Sequence, residues 1–315
     1  MSKRILCVGL VCVDFKTVVK QYPLEDTNQR TMDTIMERGG NASNSATVLS
    51  MLGCDVEYFG TVSDCQNKNF IMSDFEEYGV NISNIVICNN SKCPVSIVIV
   101  NSENGSRTIL HSNRCLRELT YEDFKMVDLS LYNWIHFEGR PNNDDIRLMI
   151  LDIKKYNLSV DCHKRITISL EFEKIRTYPL DIIPLVDYAF FSKDYAKHYG
   201  FNDMETFVSQ KSAEKNKTVI CAWGECGAAA KIPDSSVVTS KAFPPKQMVD
   251  TTGAGDTFIA ACLYSLIHGL SLEEALDSGC CLAGAKCGIM GLRGLKNSRE
   301  ITYTCKKKKD MVNSR

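Results

Sequence analysis

The sequence predicts an α/β protein: a doubly wound, mostly parallel sheet flanked by helices, with a small β-sheet lid laid over it. Three observations carry that expectation. Runs such as ILCVGLVCV, NWIHF, ITISLEF, DYAFF and TVICAW are apolar on both faces, as strands covered on both sides must be. Helical patterns separate them, the alternation that builds a parallel sheet. One stretch departs from it: residues 94–113, PVSIVIVNSENGSRTILHSN, read as two strands joined by an Asn-Gly-containing turn, a hairpin and not a crossover.

The chain starts MSKRILCVGLVCVDF. The basic start and apolar run superficially resemble a signal peptide, but no small-residue cleavage site follows and Asp14 interrupts the run, so the stretch reads as the first buried strand. Asp14 follows that strand directly. In an open α/β sheet ligands bind beyond the carboxyl ends of the strands, and an acid there can accept from two hydroxyls; a simple turn former is the plain alternative. Residues 15–38 lack a helix period and can supply partner strands for the hairpin, so the lid is expected from about 11–38 and 90–117.

RGGNASNSATVLSMLG comes next, with Ala42, Ala46, Leu49 and Leu52 marking a helix over 42–52 that stops at Gly53. Asn41 and Asn44 then fall three apart in its first turn, beside Gly40, and can face the same way. Two carboxamides donate and accept, which suits a polyol; Asn41 as a mere helix cap is the alternative. Further helices are expected at about 67–78 and 144–156. Arg107, on the second arm of the hairpin, has a forked guanidinium that can reach a phosphate, although an exposed hairpin arginine needs no such role.

In the last third, TVICAWGECGAAAKI reads as strand, turn, strand, with Gly224 and Gly227 permitting the turn. VDTTGAGDTF, residues 249–258, brackets Ala254 with Gly253 and Gly255 directly before Asp256. Phe258, Ala261, Cys262, Ser265 and Leu266 hold helical spacing up to Gly269, so the glycines sit at a helix N-terminus, where unpaired N–H groups favour an anion. Asp256 either caps that helix or does chemistry there. Ser271 and Glu274 form a capping box opening another helix, whose apolar positions are core and which reaches Cys287.

Composition narrows the class. A net charge of −1 over 315 residues argues against a nucleic-acid partner, and no apolar run approaches the roughly 20 residues that cross a membrane. The 15 cysteines are scattered through apolar segments without a CxxC pair, which suits a reduced, cytoplasmic protein without zinc. There is no P-loop, no G-x-G-x-x-G after the first strand and no protein-kinase HRD/DFG set. One unit over 1–305 is expected, followed by a basic, solvated tail at 306–315.

DTTGAGDTF resembles the C-terminal signature of the ribokinase-like (PfkB) carbohydrate kinases, and RGGNASNS resembles their N-terminal glycine signature. NGSRTI, WIHFEGR, FSKDYAKHYGF, AFPPKQMVDTTGAGDTF and AGAKCG extend the likeness over roughly residues 4–296, toward the branch that phosphorylates fructose. The resemblance implies a ribokinase-like fold and ATP-dependent transfer of phosphate to the 1-hydroxyl of D-fructose. It implies that Asp14, Gly40, Asn41 and Asn44 hold the sugar, that Arg107 bridges sugar and nucleotide phosphate, and that Glu138 lies nearby. Trp223, Gly224, Glu225, Cys226 and Gly227, with Cys287, would flank the adenine. Gly253, Ala254 and Gly255 would form an anion hole and Asp256 would be the base. Mg²⁺ on the nucleotide and a homodimer joined through the lid are implied as well, with K⁺ left as an option. Where most of the family carries N-x-x-E near the metal, this chain has Ser192-Lys193-Asp194-Tyr195, which leaves the metal-shell residues unassigned; GECG likewise departs from the branch's A-E-E-G. A kinase for another sugar or a nucleoside, and a non-catalytic sensor on the same fold, are the alternatives.

Overall fold

The computed structural model describes residues 4–174 and 180–298, with residues 300, 301 and 304; the basic tail lies outside them. The chain opens with β1 (Arg4–Val8), β2 (Cys12–Val19), β3 (Asp33–Gly39) and α1 (Asn41–Met51). β4 (Asp55–Phe59), β5 (Thr61–Ser63), α2 (Lys68–Glu77), β6 (Val86–Cys88), β7 (Val95–Asn101) and β8 (Arg107–Ser112) follow. The middle holds α3 (Tyr121–Phe124), β9 (Tyr132–Glu138), α4 (Asn143–Ser159), β10 (Thr167–Phe172) and β11 (Tyr188–Ser192). The remainder runs α5 (Lys193–His198), α6 (Met204–Lys215), β12 (Thr218–Ala222), β13 (Ala228–Lys231), β14 (Val238–Ser240), α7 (Ala254–Ile267) and α8 (Leu272–Cys287).

Eight strands form the main sheet in the order β14-β13-β12-β11-β10-β9-β1-β4. From β4 to β12 every pairing is parallel; β13 and β14 are added antiparallel. The doubly apolar runs are explained by what covers them. Along β1, Ile5 and Cys7 join a core shared with α1, α7 and α8, whereas Leu6 and Val8 join a second core with Ile146, Met149, Ile150 and Ile153 of α4. Each fully buried isoleucine there contributes roughly 1.5–3 kcal/mol relative to exposure.

The first apolar run is two strands and not one, which corrects the sequence reading. At Gly9 the chain passes so close to Glu138 and Ala42 that a Cβ would lie 2.6 and 2.8 Å from their atoms. It then leaves the main sheet, and Cys12 begins a strand of a separate four-stranded sheet of order β3-β2-β7-β8. Asp14 therefore belongs to this lid and does not end a strand of the main sheet. The hairpin of β7 and β8 and the partner strands β2 and β3 are where the sequence put them. Register Asp14↔Ser96↔His111 and Lys16↔Val98↔Ile109 sets one face of the lid. Met36, Phe15, Ile97 and Leu110 lie in register across the other.

Candidate active site

The site begins where three chain segments bare their backbone or their acids at one place. α1 starts behind Gly40, whose φ of 101° only glycine adopts easily and which gives no side-chain cap. α7 starts behind Gly253 in the left-handed region, again with no side-chain cap. Between them come the carboxyl ends of β10, β11 and β12, and the inner face of the lid closes the space. The result is a cleft of about 640 Å³.

Asp14, Gly40, Asn41, Asn44, Arg107, Gly224, Gly253, Gly255 and Asp256, all singled out in the sequence, line that cleft. Of the remaining candidates, Ala254 is the first residue of α7, while Glu225 and Cys226 are exposed on the turn after Gly224 and Gly227 closes it. Cys287, half-buried, is tied to the glycine segment through its carbonyl, which accepts from Val249 N at 2.8 Å and Asp250 N at 3.3 Å. Glu138 is one layer behind the cleft: its Oε2 accepts from Leu10 N at 2.9 Å and Ala42 N at 3.1 Å, so it fixes the start of α1.

Asp256 is not a helix cap. It lies inside the first turn of α7, buried, and its Oδ2 accepts from Asn44 Nδ2 at 2.7 Å. Burial raises its pKa to about 7, with Glu173 and Glu138 pushing the same way and Asn44 and Arg107 opposing them. A carboxylate poised there can take a proton near neutral pH.

Two acids at the end of β10 went unread in the sequence. Asn41 Nδ2 donates to Glu171 Oε1 at 2.8 Å and to Glu173 Oε2 at 2.7 Å, so this amide is already engaged by carboxylates. Glu171 is buried, its Oε2 has no hydrogen-bond partner among the described residues, and burial followed by the charge of Glu173 holds its pKa well above the usual range. ITISLEF reads as an apolar strand, and that pattern masked its acids. Their place at the carboxyl end of a parallel strand was the available signal.

Cations balance the acids from the other wall. Arg107 Nη1, reaching across from the lid, donates to Thr251 Oγ1 at 2.7 Å beside the glycine turn. Lys174, Lys193 and Asp194 also line the cleft, and Lys193 pairs with Glu225. Asp14 has room because Gly39 lacks a side chain: a Cβ there would lie 2.2 Å from Asp14 Oδ2.

A raised-pKa acid beside an uncapped helix start, under a β lid on a doubly wound sheet, suits phosphoryl transfer to an alcohol group. Residues 2–297 match the model of the pfkB family carbohydrate kinases, and the chain belongs to that family. Over 296 residues it is 41% identical to mouse ketohexokinase, spanning 93% of this chain and 99% of the relative. The 5-dehydro-2-deoxygluconokinase of Clostridium tetani is 24% identical, over 87% of this chain and 84% of its own. Among solved structures, ribokinase from Giardia lamblia superposes with a TM-score of 0.83 at 17% identity, covering 97% of this chain and all of the other. Arabidopsis thaliana ribokinase, complexed with ribose and ATP, gives 0.78 at 20% identity, covering 97% and 99%.

Proposed function

We propose that this chain transfers the γ-phosphoryl group of ATP to the 1-hydroxyl of D-fructose, giving fructose 1-phosphate and ADP. The observation that carries the proposal is the adjacency of Asp256 to the bare start of α7, in one cleft with Asp14, Asn44 and Arg107. The likeness to mouse ketohexokinase supports fructose as the acceptor.

The steps follow from the residues. Asp14, Gly40, Asn41 and Asn44 hold the sugar hydroxyls and set the reacting oxygen toward Asp256. That oxygen bonds to the γ-phosphorus as the bond to the bridging oxygen of ADP breaks, and its proton passes to Asp256. The transition state is loose, so the proton leaves late and a base of modest strength suffices. The N–H groups at Gly253, Ala254 and Gly255 and the guanidinium of Arg107 receive the phosphoryl charge. Gly224, Glu225, Cys226 and Gly227, with Cys287, flank the adenine.

Mg²⁺ would neutralise charge on the nucleotide phosphates. No group of three or more His, Cys, Asp or Glu among the described residues is arranged as a metal cage, whereas the partnerless Oε2 of Glu171, with Glu173 and Asp194 in the same lining, suits a hydrated ion carried on a polyphosphate. K⁺ remains an option that activity in matched potassium and choline salts decides. A single kinase unit over 1–305 with the lid inserted, and a homodimer through that lid, complete the reading. The free thiols of the described cysteines suit a cytoplasmic setting.

The test is ADP release with MgATP against fructose, tagatose, ribose and adenosine, with products identified by mass and NMR. Dominant fructose 1-phosphate is expected. Faster turnover of ribose or adenosine would reassign the acceptor, and ATP binding without turnover of any acceptor would overturn the reading.

A further inference from the structure

α8 ends in an ammonium group that is wholly withdrawn from solvent. Lys286 is fully buried, and its Nζ donates to Asp250 O at 2.8 Å, Asp250 Oδ2 at 3.2 Å and Ile289 O at 3.4 Å. Lysine is almost never taken out of water unless its charge is matched. Here the match is shared. Asp250 Oδ2 also accepts from Lys16 Nζ at 2.9 Å and Gly291 N at 3.1 Å, and Lys16 Nζ lies 2.6 Å from Glu37 Oε2. Two ammonium groups thus face two carboxylates, and the four charges cancel.

The same contacts fix a backbone direction. Asp250 O points into the core at Lys286, while Asp250 Oδ1 takes Thr252 N at 2.8 Å. A trans peptide aims its carbonyl and its N–H in opposite directions, so the N–H of Thr251 is turned away from Lys286. Arg107 meets Thr251 through its hydroxyl, and two residues later Gly253 opens α7.

We propose that Lys286 is a positioning residue for phosphoryl transfer. Acting through Asp250, its charge holds the 250–252 turn so that the start of α7 is aimed at the transferring group. It also keeps uncompensated negative charge from standing behind that cradle. The inference rests on the kinase reading given above.

Lys286→Met removes the charge at nearly constant length. Its kcat with MgATP and the preferred sugar is expected to fall on the order of 10–100-fold, the scale of a misaimed transition-state contact. Sugar affinity, read by calorimetry, is expected to stay within about 3-fold, because the group acts on the transition state. Lys286→Gln retains a donor for Asp250 O and is expected to fall between the two; it carries the same comparison if the Met variant does not fold. Wild-type kcat in either variant, with only a lower melting temperature, would make Lys286 a packing residue and overturn the inference. An unaltered chain with no turnover overturns the kinase reading instead, so the two failures are distinguishable.

Discussion

At Asp256 a carboxyl is held where its charge is disfavoured, and that has opposite consequences for chemistry and for stability. With its pKa raised from 3.8 to about 7, the folded chain keeps a proton at intermediate pH that the unfolded chain has released. Its contribution to stability is therefore greatest at low pH, declines as pH rises past the unfolded value and is lowest above about 7. Asp256→Asn removes that charge while leaving an acceptor for Asn44. It is expected to melt at a higher temperature than the wild type at pH 8 while kcat falls by about 10²-fold or more. An unchanged kcat would remove Asp256 from the mechanism. The kcat/KM profile of the unaltered chain, which reports groups of the free enzyme, is expected to lose activity as pH falls through about 7. Because Glu173 pushes Asp256 upward, Glu173→Gln is expected to move that limb to lower pH; a limb that does not move belongs to another group. Asp256 was legible in the sequence because small residues and an acid at a helix start are a joint signal. Glu171 and Glu173 were masked by the apolar pattern of ITISLEF, and only their place at the carboxyl end of a strand pointed to the cleft.

Helices and strands differed in how plainly their sequences spoke. The start of α8 was legible from Ser271 and Glu274, whose mutual bonds are present: Glu274 N donates to Ser271 Oγ at 3.2 Å and Ser271 N to Glu274 Oε2 at 2.9 Å. Ser271→Ala is expected to cost about 1 kcal/mol in denaturant unfolding and to leave kcat unchanged, as a cap remote from the cleft should. β4 passed unread because Glu57 sits in the middle of DVEYF. The residue is nevertheless buried, accepting from Tyr132 Oη at 2.8 Å and Asn84 Nδ2 at 2.7 Å, partners distant in the chain. The break between β1 and β2 was hidden for a similar reason: what turns the chain at Gly9 is the approach of Glu138 and Ala42. β3 offers a test of how closely the lid is fitted to the site. Gly39→Ala would press a methyl group against the Asp14 carboxylate, and the KM for sugar is expected to rise with little change in the KM for ATP. Equal effects on both would place the damage elsewhere.

Over the whole molecule, the lid shows the cleft its polar face and presents Met36, Ile97 and Leu110, between 43% and 55% exposed, on the other. An apolar row of this kind on a four-stranded sheet suits a second copy of the chain. Under the proposed homodimer the unaltered chain sediments as a dimer and the Ile97→Asp, Leu110→Lys variant as a monomer; a monomeric unaltered chain would remove the proposal, and a variant that stays dimeric would move the interface off the lid. The site itself joins segments far apart in the sequence. Asn44 and Asp256, which share the bond at the centre of the cleft, are separated by 212 positions, and β1 pairs with β9. Such distant pairings close late, because the intervening loop must first be ordered. On the ribosome the acceptor-binding segments emerge early, but the acid that receives the proton arrives only with α7. A chain stopped at any earlier codon lacks the group proposed to receive the proton, so in the proposed mechanism an unfinished copy turns over ATP far more slowly than the whole chain.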